Sequence, residues 1–579
     1  MLRIMARGVA VIFFLISSFG ASAAWAQQSA SETSGGGPGS VQKVDRKDAP
    51  NGSRWDHDVS NASVTSSGPI KVSIDASKPR NFMAPLAMGI HTSVYDSHLT
   101  DPSVPSLLRA TAIMTLRYPG GGYADNYHWS TYKSTRWQAE EPPKYGYYAP
   151  NSDFGHFVAL IDKVGTAIIT VNYGSNLAGT GPGEPAEAAA WVAYCNGSPD
   201  DPKIIGKDST GYDWKTVGFW ATMRSSAPLD TDDGFNFLRI AHPEALHIRY
   251  WEIGNEVFGN GYYAGRDKNG GFEEDLHSPY SPEAGESAKL RGKNPALSPT
   301  TYGKGVVAFA KAMRAVDWNI RIGAVLNTPP MDNSWGPDWN PGVLKECGPE
   351  IDFVVVHWYT GNLTPPDWKI LDNASLLAAS QDEIPKMAAA LVELFQKYCG
   401  PKAGTMQLAV TELGSRPFAT VTNPLVFGLF AADAYASLME IGAVNIDWLE
   451  LHAQGFLDEK NQQGPAYYGI QMTHVLLNMK DQFVEAKSNN RLLTVHASKR
   501  ADGSIGIMLI NKDPKNTATV KVQVSGAQLG SSGFRFDYGQ SSPTTGYPIT
   551  RNQARDVGNS FSASVPAYTI TNYIIAPAK

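Results

Sequence analysis

From Leu86 to His452 the chain repeats one pattern of apolar and polar positions. A short, β-prone, mostly apolar run is followed by a longer stretch with apolar residues at helical spacing, and then by another run. The runs are Leu86–Thr92, Thr115–Gly120, Ala167–Gly174, His247–Glu256, Arg321–Asn327, Asp352–Tyr359, Gln407–Gly414 and Asn445–His452. Between them EPAEAAAWVAYC, TYGKGVVAFAKAMRAVD, IPKMAAALVELFQKYC and VFGLFAADAYASLMEIG read as helices. Runs that are apolar almost throughout, rather than alternating, suit parallel strands covered on both faces. Strand and helix alternating through eight strands predicts an α/β fold, a (β/α)8 TIM barrel over 81–465.

The texture changes after about residue 480. RLLTVHASKR, SIGIMLINKD, ATVKVQVSG and TITNYIIAPA are short strands divided by turn signals such as Asp502-Gly503, which predicts a β-sandwich over 466–579. An isolated alternating stretch, IKVSIDAS, predicts a strand within 69–80 that joins the sandwich. Residues 27–68, rich in Ser, Gly, Asp and Asn, read as a disordered linker. Residues 1–26 carry the signature of a cleavable signal peptide: Arg3 and Arg7, the apolar VAVIFFLISSFGASA, and AWA before Gln27. The expected location is therefore periplasmic or secreted.

The 579 residues are enough for two or three domains. A net charge of −6 without a basic stripe excludes a typical nucleic-acid binder. No later run approaches the ~18 apolar residues of a membrane span. The 14 Trp and 25 Tyr suit sugar-stacking clefts as well as they suit large cores. Cys195, Cys347 and Cys399 read as packing residues; at most one disulfide is available, Cys347–Cys399 being the pair it would join, and no metal-binding spacing is present.

Barrel enzymes collect reactive groups at the C-terminal ends of their strands. Those ends supply His91, Arg117, Asn172, Asn255 with Glu256, His357 with Trp358 and Tyr359, Glu412, and Trp448, Glu450 and His452. Glu256 and Glu412 stand where strands four and seven give way to loops. Two carboxyls facing each other across a cleft are what glycoside hydrolysis needs, one to protonate the leaving oxygen and one to meet the anomeric carbon. Arg117 or His357 beside one of them would keep that one ionised. Glu252, deeper in strand four, is expected to be buried against Arg117 as an ion pair, and Glu450 to be structural. No metal or organic cofactor is required; the partner is a carbohydrate. Asn172 either reaches the sugar or caps a turn, and Gln454, just past strand eight, is a candidate hydroxyl contact. Trp129, Tyr123, Tyr262, Tyr263, Trp358 and Trp448 are sugar platforms or rim packing. The loops Asn196–Asp233 and Gly259–Ser298 are expected to wall the cleft.

YWEIGNE together with LAVTELG resembles the clan of retaining glycoside hydrolases with an Asn-Glu acid/base on strand four and a nucleophilic Glu on strand seven. RYPGGGYADNYHW, TVNYGSNLAGTGPGEPAEAAAWVAYCNG and the C-terminal LINKDPKNTATVKV and VPAYTITNYII are similar to α-L-arabinofuranosidases within it. The resemblance implies Glu256 as acid/base and Glu412 as nucleophile, with Asn255 on the sugar 2-hydroxyl and Tyr359 or His357 donating to Glu412. Gly122 stands where those enzymes carry Asn, and their strand-one Glu has no counterpart in GIHTSVYDSHL. Xylosides, glucuronides and other furanosides therefore stay open as substrates, as do a transglycosylase and a non-hydrolytic carbohydrate-binding barrel.

Overall fold

The computed structural model describes residues 69–134, 147–259, 276–277, 295–330, 338–360, 372–415, 423–540 and 549–578. Eight parallel strands close into a barrel: Met88–His91, Thr115–Tyr118, Thr166–Val171, Tyr250–Ile253, Arg321–Val325, Phe353–Thr360, Gln407–Ser415 and Asn445–Trp448. They are strands one to eight below. Each run expected from the sequence overlaps one of them, and no strand extends more than one residue beyond its run. The strands are buried almost throughout, as parallel strands between a filled interior and a coat of helices must be.

The helix before strand seven, Asn373–Tyr398, starts well ahead of the expected Ile384. Asp372 caps it, its carboxylate accepting from the Ser375 amide at 2.8 Å, and Pro385 lies inside the helix rather than at its start. The helix Pro465–Leu476 follows strand eight and packs on Leu425–Glu440, with Gly469 and Gly428 giving the close approach.

The C-terminal strands form a nine-stranded sheet that takes in Ile70–Phe82. That strand pairs antiparallel with Gln482–Ser488 and parallel with Ala518–Ser525. The sheet folds over on itself. Phe561, on the terminal strand Ser560–Val565, meets Tyr573 of the distant strand Thr569–Pro577 with ring centroids 5.1 Å apart. The enclosed residues make a core separate from that of the barrel.

Cys347 and Cys399 are free, buried thiols, as is Cys195, in keeping with packing residues. They end neighbouring helices, and Cys399 packs beside Gly348, but no bond joins them; burial pushes the Cys399 thiol up to about 12. The segment Asn196–Asp233 does not wall the mouth. It follows the helix Pro185–Asn196, which runs away from the strand ends, and Lys203 donates to the Ala315 carbonyl at the far end of the helix Pro299–Val316. The Gly259–Ser298 loop, with Tyr262 and Tyr263, lies almost wholly outside the described residues. No helix among the described residues is long and apolar enough to cross a membrane.

Barrel and sheet are joined by buried charge. Asp433, on the helix Leu425–Glu440, accepts from His496 Nε2 at 2.9 Å and from Lys512 Nζ at 2.8 Å. His496 Nδ1 reaches Glu440 at 2.9 Å. Both ring nitrogens face carboxylates. Burial alone would lower the imidazolium pKa, but Glu440 and Asp433 outweigh it and raise it to about 9. Since that lies above the ordinary 6.5, the stability it contributes is complete below about pH 6.5 and is lost as pH rises through about 9. The urea midpoint should therefore fall between pH 7 and pH 10, and His496→Phe should remove most of that slope.

Candidate active site

Arg117, on strand two, is fully buried at the centre of the mouth. A guanidinium has five N–H donors, and here each has a partner. Nε donates to Glu252 Oε2 at 3.0 Å and Nη2 to Glu252 Oε1 at 3.0 Å, so the expected ion pair is present and bidentate. Nη2 also reaches Asn255 Oδ1 at 2.8 Å. Nη1 donates to Glu412 Oε1 at 2.8 Å and to His91 Nδ1 at 2.9 Å. One side chain thus fixes groups from strands one, four and seven.

Glu412 is held from both sides. Tyr359 donates its hydroxyl to Oε2 at 2.5 Å, and His357 Nδ1 lies 3.4 Å from the same oxygen. Burial would push this carboxyl up, but His357 and Arg117 outweigh it and hold it below the ordinary range. Glu256 is the more exposed of the two, its side chain 15% accessible against 8% for Glu412, and it accepts from His357 Nδ1 at 2.9 Å. One oxygen of each glutamate and a ring nitrogen of His357 lie within 4.8 Å of one another. This trio is also the one group among the described residues with the spacing to chelate a metal ion, although Arg117 against Glu412 opposes added positive charge.

Local geometry sets these positions. Strand seven carries a register shift between Val410 and Glu412. Successive strand side chains normally face opposite ways, so a regular strand could not point both Thr411 and Glu412 inward; an extra residue allows it. Thr411 Oγ1 is 3.1 Å from His357 Nε2 and 3.4 Å from Glu252 Oε1, beneath Glu412. At the end of strand four, Gly254 has φ +73° and Glu256 has φ +39°. A Cβ on Gly254 would strike Val257 and Tyr173. A left-handed glutamate is uncommon and costs roughly 1–3 kcal/mol. Buried Asp125 pins this turn, accepting from the amides of Tyr173, Gly174 and Asn255 at 3.0, 3.1 and 3.1 Å.

The remaining candidates divide. Gln454 packs against Gly414, two residues beyond Glu412. Asn172 lies near the mouth but closes a turn, its Oδ1 accepting from the Ser175 amide at 2.9 Å and its Nδ2 donating to the Tyr127 carbonyl at 3.2 Å. Trp129, expected as a substrate contact, is instead buried between helices. It stacks on Trp191 at 5.6 Å and meets Trp220 at 4.9 Å, leaving no ring face for a sugar. Trp358 and Trp448 point outward to Phe430, Trp358 donating to Glu383, because the inward positions of their strands are taken by others. Tyr123 lies at the mouth with its ring 4.8 Å from Tyr95. Sequence reasoning passed over Asp125, Thr170 and Thr411. Asp125 sits within RYPGGGYADNYHW, and Thr411 directly precedes Glu412, but neither position carries a signal before the turn and the bulge are known.

Replacing Arg117 with Met should destabilise the protein by about 3–5 kcal/mol in denaturant unfolding, because Glu252 would be left fully buried without its bidentate partner.

No family model matches the chain. Over 202 residues it is 26% identical to a probable α-L-arabinofuranosidase C of Aspergillus fumigatus, a match covering 33% of this chain and 32% of that protein. Over 181 residues it is 25% identical to α-L-arabinofuranosidase C of Emericella nidulans, covering 29% of each. The matches therefore span about a third of these curated relatives. Among solved structures, the α-L-arabinofuranosidase of Thermotoga maritima in complex with arabinose superposes with a TM-score of 0.61 at 17% identity, over 88% of this chain and all of that one. A family 44 endoglucanase from Clostridium thermocellum gives 0.56 at 15% identity, over 87% of this chain and 99% of the other. Over about a third of its length the chain is similar in sequence to α-L-arabinofuranosidases, and it shares its barrel-and-sheet fold with a solved arabinofuranosidase and a family 44 endoglucanase.

Proposed function

We propose that the protein is a retaining glycoside hydrolase of arabinofuranosidase type, acting on plant-type or microbial poly- or oligosaccharides. The observation that carries this reading is the approach of Glu256 and Glu412, with carboxylate oxygens within 4.8 Å across the mouth. Retaining enzymes hold their carboxyls about 5–5.5 Å apart, whereas inverting ones leave about 6.5–9.5 Å for a water.

The surroundings of the two carboxyls support distinct roles. Glu412, bonded to Arg117 and Tyr359, stays ionised and is placed to attack the anomeric carbon. Glu256 bonds a histidine and is more open to solvent, which suits a group that protonates the leaving oxygen and then deprotonates the incoming water. Asn255, its Oδ1 taken by Arg117, turns its amide in a fixed direction, fitting a contact to the sugar 2-hydroxyl. His357 touches both carboxyls and balances their charge as the proton moves. Burial opposes its protonation, but Glu412 and Glu256 outweigh that and raise its pKa.

The test is a panel of aryl glycosides (arabinofuranoside, xyloside, galactofuranoside, glucuronide) with wild type, Glu412→Ala and Glu256→Ala. Glu412→Ala should abolish turnover. Glu256→Ala should cost about 10²–10⁴-fold on poor leaving groups and far less on activated ones; equal losses on both would remove its role as proton donor. Nuclear magnetic resonance of the first-formed product should show retention at the anomeric carbon. Export is part of the proposal and rests on the N-terminal pattern; enzyme recovered outside the cytoplasm should begin at Gln27.

A further inference from the structure

The mechanism above leaves several polar groups on the strand-one and strand-eight side of the mouth without a task. His91 is buried at the end of strand one. Its Nδ1 lies 2.9 Å from Arg117 Nη1, and a guanidinium can only donate, so Nδ1 holds the lone pair and Nε2 carries the hydrogen. Burial, with Arg117 beside it, lowers the pKa to about 3 and keeps the ring neutral. Nε2 has no partner among the described residues. It faces the Gly120–Gly121 turn, where a Cβ on Gly120 would come within 3.0 Å of it. Across the site, Gln454 Oε1 is likewise buried without a partner, beside Gly414. A buried donor and a buried acceptor left unpaired are costly unless a ligand satisfies them.

Glu450 lies just beyond strand eight, partly exposed and near enough to Glu412 to feel its charge. Ser93 Oγ donates to Glu450 Oε2 at 2.5 Å, and the Tyr95 hydroxyl donates to the same oxygen at 3.0 Å. Oε1 takes no hydrogen bond from the described residues. The neighbouring carboxylate, Asp96, has its own partner in His452 Nδ1 at 2.6 Å, but Glu450 has hydroxyl donors and no cation. Burial, with Asp96 and Glu412 nearby, raises it to about 7. Both donors land on Oε2, which leaves Oε1 able to exchange hydrogen bonds with a ligand. Tyr95, 37% exposed, leads outward from the carboxyl to Tyr123.

We propose that Glu450, aimed by Ser93 and Tyr95, is the specificity-determining contact for the hydroxyl groups of the bound glycone. The proposal rests on the glycosidase reading and deepens it. A carboxyl with one oxygen anchored and one free can donate to one hydroxyl and accept from its neighbour, while His91 and Gln454 offer a further donor and acceptor. That set matches a polyhydroxylated ring.

The experiment measures kcat/KM for 4-nitrophenyl α-L-arabinofuranoside and its 2-, 3- and 5-deoxy analogues with wild type, Glu450→Ala, Glu450→Gln, Ser93→Ala and Glu412→Ala. Glu450→Ala should lose about 10- to 100-fold on the parent glycoside. That deficit should vanish on the one deoxy analogue lacking the hydroxyl it contacts. Glu450→Gln, which can still donate and accept, should recover most of the loss. Ser93→Ala should show the same pattern at smaller amplitude, and it decides the matter if Glu450→Ala does not fold. Equal losses on all four glycosides, or none, with Glu412→Ala inactive, would overturn this proposal alone. A Glu412→Ala variant as active as wild type would overturn the glycosidase reading first and this one with it.

Discussion

The guanidinium of Arg117 is the point from which the rest of the mouth is built. Its five N–H groups go to Glu252, Asn255, Glu412 and His91, so a single plane sets the separation of strands one, four and seven at their reactive ends. The guanidinium is buried among two carboxylates, which repay its desolvation and in turn depend on it for theirs. The arrangement also leaves unequal carboxyls. Glu252 takes a bidentate bond and two threonine hydroxyls from Thr170 and Thr411, and is fully occupied. Glu412 takes one guanidinium bond and one phenol, leaving it charged at the edge of the cavity.

Around this centre the backbone departs from regularity in two places, and each departure serves one glutamate. The shift at Thr411 turns Glu412 into the mouth while keeping Thr411 beneath it. The left-handed turn at Gly254 and Glu256 lifts Glu256 off the end of strand four towards His357. Asp125 and Arg117 hold that turn from below through the Asn255 amide and side chain. Strain of this kind persists only where neighbouring bonds over-determine it.

Much of this was legible in the sequence because barrel strands impose a simple rule. Apolar runs mark the strands and their ends mark the mouth, although the outward turn of Trp358 was not drawn from its parity. The pairing of Arg117 with Glu252 followed from depth along strand four. What else escaped were features that parity cannot report. A bulge is invisible until the register is known, so Thr411 drew no notice. Trp129 looked like a cleft residue because it follows the glycine turn, yet the chain folds back between helices before reaching it. Asn373–Tyr398 hid its first turns because Ile384-Pro385 resembles a helix start, whereas the cap lies at Asp372.

The strand Ile70–Phe82 lies between Gln482–Ser488 and Ala518–Ser525, and the Lys71 amide donates to Asn489, 418 positions away. The barrel is thus inserted, in chain order, between two parts of one sheet. A ribosome that has released every barrel helix has still not supplied the neighbours this strand needs. Completion of the sheet must await the last hundred residues, and any truncation there would strand an edge made near the beginning.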